Sequence, residues 1–129
     1  MPAPASITYS AAALVAASNA LLSAIDAGTG PGQIKIWTEA DVQLSAFSLT
    51  EPAGTVDGAG ALTLTASSAD DAEQTDIAAW AAVYPGSSAT PLITMPVIEG
   101  EAPVSGYLVL STLNLVAGEP VTIVSAVIG

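Results

Sequence analysis

A chain of 129 residues with twelve Asp and Glu against a single Lys, and with no Arg, His or Cys, carries a formal net charge of −11. One cation cannot neutralise a run of phosphates, so nucleic acid is excluded as a partner, and the same repulsion disfavours anionic membranes and phosphorylated substrates. Without Cys there is no disulfide or thiolate metal site, and 51% hydrophobic against 10% charged residues is the composition of a packed domain, not of a disordered one.

Residues 1–9 open Met-Pro-Ala-Pro-Ala, and two prolines predict an extended arm. Ser10 stands where an N-cap belongs. The helix expected from there to Ala27 gathers Leu14, Val15, Leu21, Leu22 and Ile25 on one face, and Gly28 follows as its terminator. The opposite face, with Ala13, Ala16, Ala20 and Ser23, is small and uncharged, suited to lie against another surface. Residues 5–25 contain no charge, yet no basic flank precedes them and Ser6, Thr8, Ser10, Ser18, Asn19 and Ser23 dilute the run, so neither a signal peptide nor a membrane span is expected. Residues 28–32, three glycines with a proline, read as a hinge.

Beyond the hinge the period changes from 3.6 to 2. Residues 33–38 alternate with Ile34, Ile36 and Thr38 on one face and Lys35 and Trp37 on the other. Residues 42–49 follow, with Val42, Leu44, Ala46 and Ser48 opposite Gln43, Ser45, Phe47 and Leu49. Glycines make 52–60 a loop, 61–66 is a short strand, 67–76 is polar and acidic, and 77–84 reads as a strand buried on both faces. After a turn at 85–91, Pro96 within 92–98 favours an edge position or a strand end. Residues 107–115 and 121–128 close the chain as a hairpin. About seven strands after one helix predict an antiparallel β-sandwich or jelly-roll-like domain over 33–129, preceded by an arm and helix over 1–27 and the hinge over 28–32.

Little in this chain supports catalysis. His, the commonest general base near neutral pH, is absent. A Ser–Lys pair would have to use Lys35, whose place on an alternating strand is that of an outward-facing residue. Asp70, Asp71, Glu73 and Asp76 offer hard oxygens, but the glycine and terminal Glu of a calcium-binding helix-loop-helix are missing; a solvated loop and a calcium site both stay open there. Glu99 and Glu101 read as plain surface. The glycines at 28, 30 and 32 follow a helix instead of leading from a strand into one, so they are no phosphate cradle. No enzyme activity, cofactor or metal is expected. Trp37, Trp80, Tyr84 and Tyr107 are candidates for core packing, interface anchoring or a carbohydrate platform.

The stretch AIDAGTGPGQIKIWT over residues 24–38 resembles the opening of a family of small structural proteins of tailed bacteriophages and prophages. Residues 58–64 with 77–80, and LNLVAGEPVTIVSAVI over 113–128, are similar to its middle strands and closing hairpin. The sequence departs from that pattern after Trp80, where Ala81, Ala82, Val83 and Tyr84 replace a more polar segment. The resemblance implies a capsid decoration or cement protein, made in the bacterial cytoplasm and carried on the outer capsid surface, whose partners are the major capsid protein and further copies of itself. Nucleic acid and membrane are not expected partners. Ile7, Tyr9, Leu14, Leu21, Leu22, Ile25, Trp37, Trp80 and Tyr84 are the expected contact residues. On this view, removing residues 1–27 would weaken particle binding and leave a folded β-domain. The alternative is a receptor- or carbohydrate-binding module on a virion fibre or tail.

Overall fold

The computed structural model describes residues 8–67, 70–86 and 88–128; Ile7 and most of the expected arm lie outside them. Helix α1 (Ala11–Asp26) begins where Ser10, with extended backbone, accepts a hydrogen bond from the Ala13 N–H at 3.2 Å, satisfying one of the first-turn donors that a helix leaves unpaired. Its inward row is Val15, Ser18, Leu21, Leu22 and Ile25. Leu14, expected in that row, is 42% exposed, because it sits at the rim where the helix backbone crosses Gly60.

Among the described residues eleven strands follow: β1 (Gln33–Trp37), β2 (Gln43–Val56), β3 (Leu62–Ala66), β4 (Asp70–Asp71), β5 (Asp76–Ile77), β6 (Trp80–Tyr84), β7 (Ile93–Glu99), β8 (Leu108–Leu110), β9 (Asn114–Leu115), β10 (Pro120–Val121) and β11 (Ile123–Ile128). Seven of them close into one barrel in the order β1, β2, β3, β11, β8, β7, β6 and back to β1. The mainly β character with one leading helix is as expected, but a single sheet closing on itself takes the place of two stacked sheets. The cause lies in β2. It runs 14 residues, pairs with β1 through residues 43–48 and with β3 through residues 49–56, and shifts register twice. Such bulges bend and coil a strand, which lets one ribbon turn the corner that a sandwich needs two sheets to make.

Two further differences have local causes. Strands β7 and β8 are parallel, unlike the other barrel pairs. Pro96 also lies inside the sheet instead of at an edge: β7 pairs with β6 through residues 93–96 and with β8 through residues 97–99. The proline therefore stands where one ladder gives way to the next, and its missing N–H costs little there.

The core fills the barrel with Ile34, Ile36, Leu44, Phe47, Leu49, Leu62, Leu108 and Leu110. The ladders β4–β10 and β5–β9 bring in Ala72, Ala78, Leu115 and Val121, all buried in the same cluster. Ile25, fully buried, adds the helix to that core.

The glycine segment packs closely. A Cβ on Gly28 would lie 2.5 Å from the Gly86 carbonyl oxygen, and one on Gly32 would lie 2.6 Å from an Ile25 methyl carbon. Glycine at these positions permits backbone to approach backbone and side chain. Ser18 Oγ donates to the Gly60 carbonyl, and Asp26 accepts from the Ala53 N–H at 3.0 Å. The helix is thus seated on its own barrel.

Candidate functional site

Three surfaces hold the residues singled out from the sequence. The first is the outer side of β1 and β6. Trp37 and Trp80 are direct cross-strand partners, so their indoles emerge side by side, and they stack with ring centroids 5.5 Å apart and planes 12° from parallel. Two strand positions further along, the Lys35 ammonium lies 4.7 Å from the centre of the Tyr84 ring, a cation–π contact. Lys35, the chain's only Lys, is thereby placed on an aromatic ring.

The tight turn after β1 supports this layer. Asp41 takes a positive φ of 62°, which a short polar side chain tolerates. Its carboxylate and the Thr38 carbonyl both accept from the Trp80 indole N–H, at 3.2 and 3.1 Å. Each stacked indole gives one face to the other. What remains open is a shallow groove beside Trp80, bordered by Ala79, Thr94, Met95 and Pro96.

The second surface is the acidic segment. Asp70 turns one carboxylate oxygen inward, accepting from the Ser45 hydroxyl at 2.7 Å and the Ala46 N–H at 2.9 Å. Ser45 is fully buried, so this carboxylate satisfies a polar group that would otherwise be stranded. Glu73 accepts from the Gln43 amide, and Asp76 accepts from the Ile77 N–H. The carboxylates diverge to separate partners, and among the described residues no three metal-ligating side chains converge. Replacing Asp70 with Ala is expected to cost about 2–4 kcal/mol, from one buried hydroxyl and one N–H left without an acceptor; urea unfolding measures it, and a change under about 0.5 kcal/mol would mean that water satisfies both groups.

The third surface is the outer side of α1. Ala13, Ala16, Ala17, Ala20 and Ser23 are exposed, and no charged residue occurs before Asp26 at the last position. Tyr9, just before the N-cap, is 67% exposed. Other exposed large hydrophobics are scattered around the barrel, with Ile77 at 57% and Val116 at 50% the most open.

These placements sort the expected contact residues. Tyr9 and Leu14 are exposed, Leu21, Leu22, Trp37 and Trp80 are half-buried, and Ile7 lies outside the described residues. Ile25 and Tyr84 are buried, Ile25 because the helix docks through it and Tyr84 because Lys35 covers its ring. Sequence reasoning gave Asp26 no role, and it did not foresee the hydrogen bonds that Ser18 and Asp70 make, because the partners of Ser18, Asp26 and Asp70 lie 42, 27 and 25 residues away in the chain.

Among the described residues no helix is long and apolar enough to cross a membrane. Comparison of the chain with family models, with curated proteins and with solved structures finds no match.

Proposed function

We propose that this protein is a phage capsid decoration or cement protein, binding the major-capsid lattice and neighbouring copies of itself through protein–protein contacts. The observation that carries the reading is the outer side of α1. In a chain of net charge −11, the 16-residue helix presents to solvent a face of Ala, Ser and Asn, with Leu14 at its rim and no charged residue before Asp26 at its end. Charged residues keep most exposed helices soluble and apart; a helix face without them is suited to being covered. On a repeating lattice, many modest contacts of this kind add by avidity. The acidic remainder of the chain discourages self-association before assembly and suits an outer capsid surface, away from packaged DNA.

The experiment is sedimentation of the purified chain with assembled tailed-phage capsids lacking decoration, beside free coat subunits. The chain is expected to pellet with capsids and to stay in solution with subunits. Ala13→Glu with Ala20→Glu, two exposed positions on one helical face, is expected to abolish pelleting while shifting stability by no more than about 0.5 kcal/mol. Equal association with free subunits, or binding indifferent to the two glutamates, would sink the proposal.

A second reading, a carbohydrate-binding module on a fibre or tail, draws on the open groove beside Trp80. It predicts binding on a glycan array that Trp80→Ala removes.

A further inference from the structure

The outer layer of β1, β6 and β7 is built in cross-strand rows. Trp37, Trp80 and Pro96 form one row, and Lys35, Ala82 and Thr94 form the next. Directly opposed side chains on one face of a sheet stand about 5 Å apart, so the Trp80 indole gives one face to Trp37 and turns the other toward Pro96. The groove bordered by Thr94, Met95 and Pro96, about 480 Å³, lies on that second side. Ala79 borders it and also borders an adjoining hollow of about 270 Å³, which is lined by Glu39 and Asp76.

Two aromatic rings in this layer are placed to hold a cation, and one is already filled. The Lys35 ammonium lies 4.7 Å from the centre of the Tyr84 ring. The open face belongs to Trp80, whose indole N–H donates to the Asp41 carboxylate at 3.2 Å. An anionic acceptor on that N–H pushes electron density into the ring and strengthens its attraction for positive charge. Asp41, Glu39 and Asp76 are all exposed, so carboxylates stand at the approach to this face.

We infer that the groove binds an arginine side chain of a different protein, its guanidinium laid on the open face of Trp80 and its methylene stem along Met95 and Pro96. Charge separates the possible occupants. The chain has no Arg and its one Lys lies on Tyr84, so a second copy brings no free cationic side chain. Nucleic acid is repelled by the same carboxylates. A sugar needs several hydrogen-bonding groups around its ring; with the Trp80 N–H already bonded, Thr94 is the one polar side chain left in the groove. Arg fits better than Lys, because a planar guanidinium stacks on a flat ring and keeps its N–H edges for carboxylates. Placing the arginine on a coat subunit rests on the preceding reading; the chemistry that recognises it does not.

The probe is the capped peptide Ala-Val-Arg-Val-Ala, titrated to millimolar concentration into the full chain at low ionic strength and followed by the Trp80 indole N–H resonance. That resonance is expected to shift and saturate, and a peptide with Gln in place of Arg is expected to leave it unmoved. Asp41→Asn removes the charge alone: asparagine tolerates the positive φ of 62° and still accepts from the indole. It is expected to weaken binding about three-fold. Trp80→Leu, followed through the Met95 methyl resonance, is expected to weaken it by about three-fold or more. Glu51→Gln removes an equal charge on β2, beyond the far end of its ladder with β1, and is expected to change nothing. Absence of a shift, equal binding of the Gln peptide, equal effects of Asp41→Asn and Glu51→Gln, or unchanged affinity in Trp80→Leu would overturn the inference. So would a groove that passes over the peptide for an oligosaccharide, or for a second copy of the chain seen as self-association that Trp80→Leu abolishes. Because the titration contains no particle, a chain that binds the peptide but ignores capsids removes the decoration reading alone, and the reverse result removes the arginine site alone.

Discussion

An Ile25→Ala chain is expected to lose about 2–5 kcal/mol of stability, the cost of emptying a fully buried aliphatic site. Ile25 is the one residue of α1 with no solvent exposure. It packs into the barrel core, and Gly32 lies so close that no side chain there could move in to fill the space. The loss is a large part of the roughly 5–15 kcal/mol that holds an ordinary domain together.

Deleting residues 1–27 goes further. It removes Ile25, leaves the Ala53 N–H without the Asp26 carboxylate and uncovers the Gly60 carbonyl bonded by Ser18. The barrel is therefore expected to unfold at a much lower urea concentration without the helix, contrary to the sequence expectation of an independent β-domain. If the truncated chain instead unfolded at the full-length midpoint, the helix would be an attachment to the barrel and not part of its core.

That revision marks where the sequence stopped being legible. Local chemistry could be read directly. Ser10 caps α1, Ile34 and Ile36 face in while Lys35 and Trp37 face out, and the outer helix positions Ala13, Ala16, Ala20 and Ser23 are exposed. These outcomes need only the 3.6 and 2.0 periodicities and a turn residue. In β2 the strict alternation failed: Leu44 and Ser45 are both buried because the ladder with β1 shifts register between Ile36 and Trp37, and a bulge leaves no composition signal. Barrel and sandwich show the same inward and outward alternation, so closure could not be told from stacking.

The contact residues divided along the same line. Tyr9 and Leu14 are exposed near the helix start, whereas Ile25 and Tyr84 are covered by elements of this chain that sequence spacing cannot bring together.

Gly54→Ala is expected to be the most damaging single-methyl change in the chain, costing about 3 kcal/mol or more. A Cβ at position 54 would lie 2.0 Å from the Thr63 carbonyl oxygen, 2.8 Å from its carbon and 3.0 Å from the Leu64 Cα. All three are backbone atoms of the paired strand, so no rotamer change relieves the contact; β2 and β3 must separate. Gly54 is also where β2 resumes pairing with β3 after its second register shift, and the preceding residue, Ala53, supplies the N–H that Asp26 holds. Parting the strands here loosens the β2–β3 ladder and the docking of α1 together. Gly58 is the control: a Cβ there meets nothing within 4 Å, and Ala at such a site is neutral or stabilises by up to about 1 kcal/mol through the unfolded chain. Urea unfolding of the two variants side by side separates a steric requirement from the general cost of replacing glycine, and equal midpoints would mean that the two strands have room to spare at this crossing.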